Sequence, residues 1–280
     1  MTTVGVVSPG AMGSAIGRGY AEAGARAVAT VAGRSARTRE LATGLELLPA
    51  LDDVVAAADI VLSVVPPAMA VQTAADLRAA ADRTGSTVLV VDLNAVAPTT
   101  VTRVAAALGG LPLVDGSIAG PPPDRARATV FLSGPRAGEL AELPHPRLDV
   151  RVLPGPVGAA SAVKMGTSGV YKALSALLTH TLVTAEHWGV REHVEADLAG
   201  RLGGMLDGAW LARSAAKADR FVGEMHEVAD AQQAAGLPRE LFDALAVSWA
   251  HIATTPAGRR TPEQAAATAD LDAFVASLGG

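Results

Sequence analysis

The sequence predicts a parallel α/β domain followed by an all-α domain. Short β-branched runs alternate with alanine-rich segments over the first 155 residues, and strand signals cease after "LPGPVG" at 153–158. From there on, helical spacing is interrupted only by punctuation such as Gly236–Pro238 and Pro256–Gly258. Runs that are apolar on both faces and separated by helices belong in a parallel sheet, because crossover helices cover both of its faces. The expected domains are 1–155 and 156–280.

In chain order, strands are expected over 3–7, 27–32, 59–65, 87–92, 113–115 and 128–133. The segments "GSAIGRGYAEAG", "ARTRELATG", "DDVVAAA", "MAVQTAADLRAAADRTG" and "APTTVTRVAAALGG" supply the helices between them. The second domain is expected to hold helices over 158–188, 191–202, 205–218, 219–235, 238–254 and 262–278.

Composition narrows the function. The 280 residues are half hydrophobic, with only 3% aromatics, as in an alanine-rich helical protein. A formal charge of -5 gives no electrostatic basis for binding nucleic acid or an acidic membrane. The absence of cysteine excludes disulfides, thiol catalysis and thiolate-held metals, and the histidines show no converging metal set. "MTTVGVV" enters a strand pattern at once, and no apolar run reaches the length of a membrane span. The expectation is a cytoplasmic enzyme.

The first strand runs directly into a glycine turn, "VGVVSPGAMGSAIG". Such a turn lets the backbone approach a pyrophosphate at a helix N-terminus, which makes this a Rossmann-type dinucleotide-binding candidate. Ser8 holds the usual first glycine position, and Gly10, Ala11, Met12 and Gly13 complete the turn. After the second strand, where NAD sites carry an acid for the ribose hydroxyls, the chain reads Gly33, Arg34, Ser35, with Arg37 nearby. Guanidinium and hydroxyl groups suit a 2′-phosphate, so NADPH is the expected cofactor.

These residues resemble the β-hydroxyacid dehydrogenases, the superfamily of 6-phosphogluconate and 3-hydroxyisobutyrate dehydrogenases. "SPGAMGS" is similar to their glycine turn, "SVVPP" to the segment passing the nicotinamide, and "DLNAVAP" to their Asp-x-Ser-Thr-x-x-Pro segment. The resemblance therefore implies cofactor contacts at Val65, Pro66 and Asn94. "DGSIAGPPP" stands at the family's substrate loop, and "GAASAVKMGTS" at its catalytic Gly…Lys-x-x-x-Asn helix. "RFVGEMHEVADAQQAAGLP" is similar to a subgroup whose C-terminal helical domain has no assigned function.

Two departures alter the substrate contacts. Ala119 replaces the serine of the Ser-Gly-Gly loop beside the retained Gly120, and Ser168 replaces the asparagine four residues after Lys164. The resemblance implies that Lys164 donates or accepts the proton as hydride moves. Its place in the first turns of a helix, where the dipole is positive, lowers the cost of losing that proton. Ser168 and Tyr171 lie within about 40° and 20° of its direction, whereas Lys172 lies about 80° away and is expected to point elsewhere. Glu224 and His226 are further candidates for substrate contact.

The expected function is NADPH-dependent hydride transfer to or from a small carbonyl or hydroxy compound. The rivals are an imine reductase, for which Tyr171 is the proton donor to consider, and a catalytically silent NADPH-binding protein. The resemblance also implies a homodimer through 160–280, and Trp188, Trp210 and Trp249 are expected as core or interface anchors.

Overall fold

The structure, a computed structural model, describes residues 1–202, 207–267 and 270–278. The chain divides into two compact units, Met1–Met165 and Gly166–Gly280. The division falls inside a long helix rather than at 155, because the first turns of that helix are bonded to the sheet.

The first unit is an eight-stranded sheet in the order β3-β2-β1-β4-β5-β6-β7-β8. Its strands are β1 (Thr3–Val7), β2 (Arg26–Ala29), β3 (Glu46–Leu47), β4 (Ile60–Ser63), β5 (Leu89–Asp92), β6 (Leu113–Ala119), β7 (Ala128–Ser133) and β8 (Leu148–Val152). Strands β1 to β6 pair in parallel, β6 and β7 are antiparallel, and β7 and β8 are parallel. The order reverses between β1 and β4, and open α/β sheets take ligands at such a crevice, outside the carboxyl ends of the strands.

Three strands depart from expectation, and helix α6 (Ala137–Ala141) was not foreseen. β6 runs on to Ala119, so Ala119 ends a strand instead of sitting in a loop, paired with Thr129 of β7. β8 and the two-residue β3 extend the sheet at its two edges. Apolar residues alternate across the pleat and pack against helices on both faces. Leu62, Val91 and Leu132 join Ile16 and Tyr20 of α1 (Ala11–Glu22) in one core. Val61 and Val90 join Val55, Leu77, Val101 and Val104 in the other. These last come from α3 (Leu51–Ala57), α4 (Ala70–Thr84) and α5 (Pro98–Ala107). Each fully buried leucine contributes roughly 1.5–3 kcal/mol, so the sheet is a rigid platform. The two remaining helices of this unit, α2 (Ala36–Leu41) and α6 (Ala137–Ala141), are short.

Helix α7 spans Ala159–His187, and α8 spans Arg191–Leu202 as expected. Beyond them lie α9 (Gly208–Ala215), α10 (Ala218–Ala234), α11 (Glu240–Thr254), α12 (Pro262–Ala266) and α13 (Leu271–Ala276). The helix expected from 205 starts at Gly208, capped by the Asp207 carboxylate on the Ala209 N–H at 3.0 Å. Residues 205–206 and 268–269, within the expected helices 205–218 and 262–278, lie outside the described residues. In the second unit, Phe221 and Trp249 meet edge to face at 5.0 Å in the α10–α11 contact. Trp249 is fully buried and Trp188 is 72% exposed.

Candidate functional site

The glycine turn links β1 to α1 at the strand reversal. Ser8 adopts φ 63°, the only left-handed non-glycine among the described residues, so the backbone there takes the conformation that a glycine normally supplies. Its carbonyl accepts the Gly10 N–H at 2.7 Å, and Gly10 caps the helix. A Cβ on Gly13 would lie 2.9 Å from the Ser8 carbonyl oxygen, so only glycine lets α1 pack this close to the turn. In front of Gly10 the space is open. Ala11 is exposed, and Met12 packs on the core beneath. The first N–H groups of α1 have no intrahelical acceptor and face a helix start, the arrangement that receives pyrophosphate oxygens.

At the end of β2 the chain turns through Gly33, at φ 68°, into α2. Ser35 caps that helix, accepting the Thr38 N–H at 3.2 Å. Arg34 and Arg37 are exposed, and no acid occupies residues 30–37.

At the end of β4, Val65 is half-buried and Pro66 exposed. The Val65 N–H donates to Asn94 Oδ1 at 2.6 Å. Asn94 Nδ2 donates to Ser63 Oγ at 3.1 Å and to Asp92 Oδ2 at 2.8 Å. The structure thus bonds the Asn94 side chain to protein groups. Burial pushes the Asp92 carboxyl up to about 7, against the Asn94 hydrogen bonds and with Asp115 adding to the rise.

The start of α7 is fastened to β6 and β7. Asp115, fully buried, accepts the Gly158 N–H and Ser161 N–H at 3.0 Å each. It also accepts the Ser133 hydroxyl at 3.0 Å and the Ser161 hydroxyl at 2.6 Å. Ser117 Oγ donates to the Ala160 carbonyl at 2.8 Å, and the Ala160 N–H donates to Ser133 Oγ at 3.1 Å. A carboxylate at a helix N-terminus satisfies orphan donors and is favoured by the dipole. One turn further, the Lys164 ammonium donates to the Ile118 carbonyl at 2.6 Å. The amine therefore sits at the carboxyl end of β6, beside Ala119 and the exposed Gly120, on the edge of the sheet that carries the glycine turn.

The other candidates lie in the second unit. Ser168 is buried, and Tyr171 is 59% exposed. Lys172, expected to point away from Lys164's direction, is buried and paired with buried Glu224. Arg220 reaches the same carboxylate at 2.9 Å, and the Lys172 ammonium lies 5.0 Å from the Phe221 ring centre. Burial lowers the Lys172 pKa, opposed by the Glu224 pair. Glu224 is thus committed to an ion-paired cluster between α7 and α10. His226 Nδ1 meets Asp243 Oδ1 of α11 at 2.9 Å, and Arg239 chiefly, then His226, holds that carboxyl down at about 2.

Sequence reasoning left Asp92, Asp115, Ser117, Ser133 and Ser161 unassigned, although acids inside apolar strand runs were a visible signal. A polar cleft of about 670 Å³ lined by Thr2, Asp59, Ser86 and Arg136 opens at the opposite, amino-terminal edge of the strands. Arg136 is already paired there with Glu139, and none of the groups described above reaches it.

Residues 3–143 match the NAD binding domain of 6-phosphogluconate dehydrogenase, and residues 185–252 match a domain of unknown function, DUF1932. Among solved structures, a conserved hypothetical protein from Sinorhizobium meliloti 1021 is 27% identical with a TM-score of 0.68, covering 99% of this chain and 96% of that one. The 3-hydroxyisobutyrate dehydrogenase of Mycobacterium tuberculosis is 18% identical with a TM-score of 0.65, covering 100% of both chains. An imine reductase from Bacillus cereus is 15% identical with a TM-score of 0.58, covering 89% of this chain and 92% of that one. No curated protein matches the chain.

Proposed function

The chain belongs to the family of the NAD binding domain of 6-phosphogluconate dehydrogenase and is an NAD(P)-dependent oxidoreductase, and we propose that it uses NADPH and that Lys164 is its acid/base. One observation carries this reading. The glycine turn, the segment after β4 and the Lys164 amine all lie along the carboxyl edge of the parallel strands β1 to β6 of one sheet.

The residues present suit the cofactor. Open space before Gly10 and the free N–H groups at the start of α1 suit a pyrophosphate. Arg34 and Ser35, with no acid beside them, suit a 2′-phosphate and would not repel it. Bound there, the nicotinamide supplies or takes the hydride. Lys164 gives its proton to the carbonyl oxygen as the substrate is reduced, and recovers it from the alcohol in reverse. Its hydrogen bond to Ile118 orients the amine, and the Asp115 cluster holds the helix that carries it. The substrate is a small carbonyl or hydroxy compound. Ala119 and Ser168 lack the hydroxyl and carboxamide of the family pattern, so neither 3-hydroxyisobutyrate nor 6-phosphogluconate is the expected compound.

C=N reduction is the second reading, favoured by the exposed Tyr171 one turn along the Ser168 side of α7. Substitution separates the two. General acid catalysis is typically worth about 10²- to 10⁴-fold, so Lys164→Met lowers kcat by that order on a ketone or keto acid and leaves NADPH binding intact. Lys164→Arg fails almost as badly, since guanidinium retains its proton. A severe loss in Tyr171→Phe with a mild one in Lys164→Met moves the proton donor to Tyr171 and makes cyclic imines the substrates. Unchanged turnover in both variants refutes both assignments.

A further inference from the structure

The buried amide of Asn94 spends both of its donors and one acceptor position on protein groups. A carboxamide offers two N–H donors and a carbonyl oxygen that accepts through two lone pairs. Both Asn94 donors are spent, on Ser63 Oγ at 3.1 Å and Asp92 Oδ2 at 2.8 Å, and its carbonyl takes the Val65 N–H at 2.6 Å. Its own backbone N–H donates to Asp92 Oδ1 at 3.0 Å. The residue is 2% exposed, and Ser63 and Asp92, its two side-chain partners, are 2% and 1% exposed. Ser63 and Asp92 also stand opposite each other in the β4–β5 register. The result is a closed loop of bonds joining the carboxyl ends of two adjacent strands.

Location gives this loop of bonds a purpose. It holds residues 63–66 where the chain leaves β4, the strand at which the sheet order reverses against β1. A ligand in that crevice rests against the backbone leaving β1 and β4. Val65 is the residue whose N–H is withdrawn into the bond, which fixes the plane of the Val64–Val65 peptide and the direction of the Val64 carbonyl just before Pro66.

We propose that Asn94 is a positioning residue and not a cofactor ligand: with Asp92 and Ser63 it sets the backbone of residues 63–66 against which the nicotinamide half of the cofactor lies. The proposal rests on the NADPH reading above. It makes the adenosine half, whose expected contacts are Arg34 and Ser35 beyond β2, independent of the brace.

Calorimetric titration of the native protein, Asn94→Ala and Ser63→Ala with NADPH and with adenosine 2′,5′-bisphosphate tests it, beside thermal unfolding of each protein without ligand. Loss of hydrogen bonds to a buried group is expected to weaken NADPH about tenfold or more in Asn94→Ala. Ser63→Ala follows in the same direction by a smaller factor, and adenosine 2′,5′-bisphosphate changes less than about twofold in both. If Asn94 were itself the ligand, Ser63→Ala would bind NADPH as the native protein does, and the proposal fails. Equal weakening of both ligands, or of neither, also overturns it. If Asn94→Ala does not fold, Ser63→Ala decides alone. A native protein that binds neither compound overturns the NADPH reading and this inference with it, whereas native binding with the wrong pattern in the variants overturns only the inference.

Discussion

Replacing Lys172 by methionine removes the ammonium from a carboxylate that has almost no access to water. Glu224 is 4% exposed and Lys172 8%, so neither charge can be rehydrated without opening the α7–α10 contact. Breaking a buried pair by deleting one partner costs about 3–5 kcal/mol, because the other charge is left uncompensated. Arg220 still reaches Glu224 at 2.9 Å, but its side chain is 58% exposed and replaces only part of the lost attraction. The expected cost of Lys172→Met is therefore near the lower bound, about 3 kcal/mol. The double variant Lys172→Met/Glu224→Leu removes both charges and should return to within about 1 kcal/mol of native, since apolar replacement of a buried pair is often neutral or stabilising. Tryptophan fluorescence in urea reads this unit alone, because Trp188, Trp210 and Trp249 all lie within Gly166–Gly280. At about 1–3 kcal/mol per molar urea, the Lys172→Met midpoint falls by about 1 M or more. A shift below about 0.3 M, or a double variant no more stable than the single one, would refute the account.

Arg34→Ala should weaken NADPH about 10- to 150-fold by loss of a charge-assisted hydrogen bond and hardly change NADH, and calorimetry showing the native protein binding both equally refutes the cofactor choice. His145 Nδ1 accepts the Arg147 N–H at 3.2 Å while Nε2 faces the Ile16 carbonyl at 3.1 Å, a pairing only the neutral ring can make. Burial chiefly lowers its pKa, so its contribution is complete above the unfolded value of about 6.5 and is lost as pH falls from there through the folded value. Asp92, raised to about 7, acts in the opposite sense, its contribution fading as pH rises through that value. Calorimetric melting between pH 8 and 5 should therefore fall more steeply for the native protein than for His145→Gln, and parallel curves refute the assignment. The second unit exposes Val170, Leu177, Leu241 and Val247 by more than half, and a homodimer through 160–280 is the expected use of that surface. A monomer by light scattering at micromolar concentration rules it out.

Local chemistry was legible in the sequence and distant pairing was not. The glycine turn, the missing acid after β2 and the bounds of α8 follow from neighbouring residues, and so they could be read directly. The strand expected over 113–115 stops where Gly116 and Ser117 interrupt the apolar run, yet β6 carries on and Ser117 lies in it to bond Ala160 of α7. β8, "LDVRV", alternates apolar and charged residues as an edge strand does, and the two residues of β3 are too few to leave a pattern. Helical angles placed Lys164 and Lys172 on different faces. They could not show which face meets Glu224, a partner 52 residues away. Asn94 was legible as a residue of the site, but its bonds to Ser63 and Val65, about 30 residues back, depend on strand order.

The fastening of α7 to the sheet also divides responsibility within one helix. Asp115, Ser117, Ser133 and Ile118, all from β6 and β7, secure residues 158–164. Lys164 therefore makes its bond to Ile118 within the unit that holds the sheet, whereas α7 runs on to His187. Sequence changes in α8 to α13 touch none of these residues directly. A chimera that keeps residues 1–165 and exchanges the rest for a related helical unit retains every donor and acceptor of these bonds.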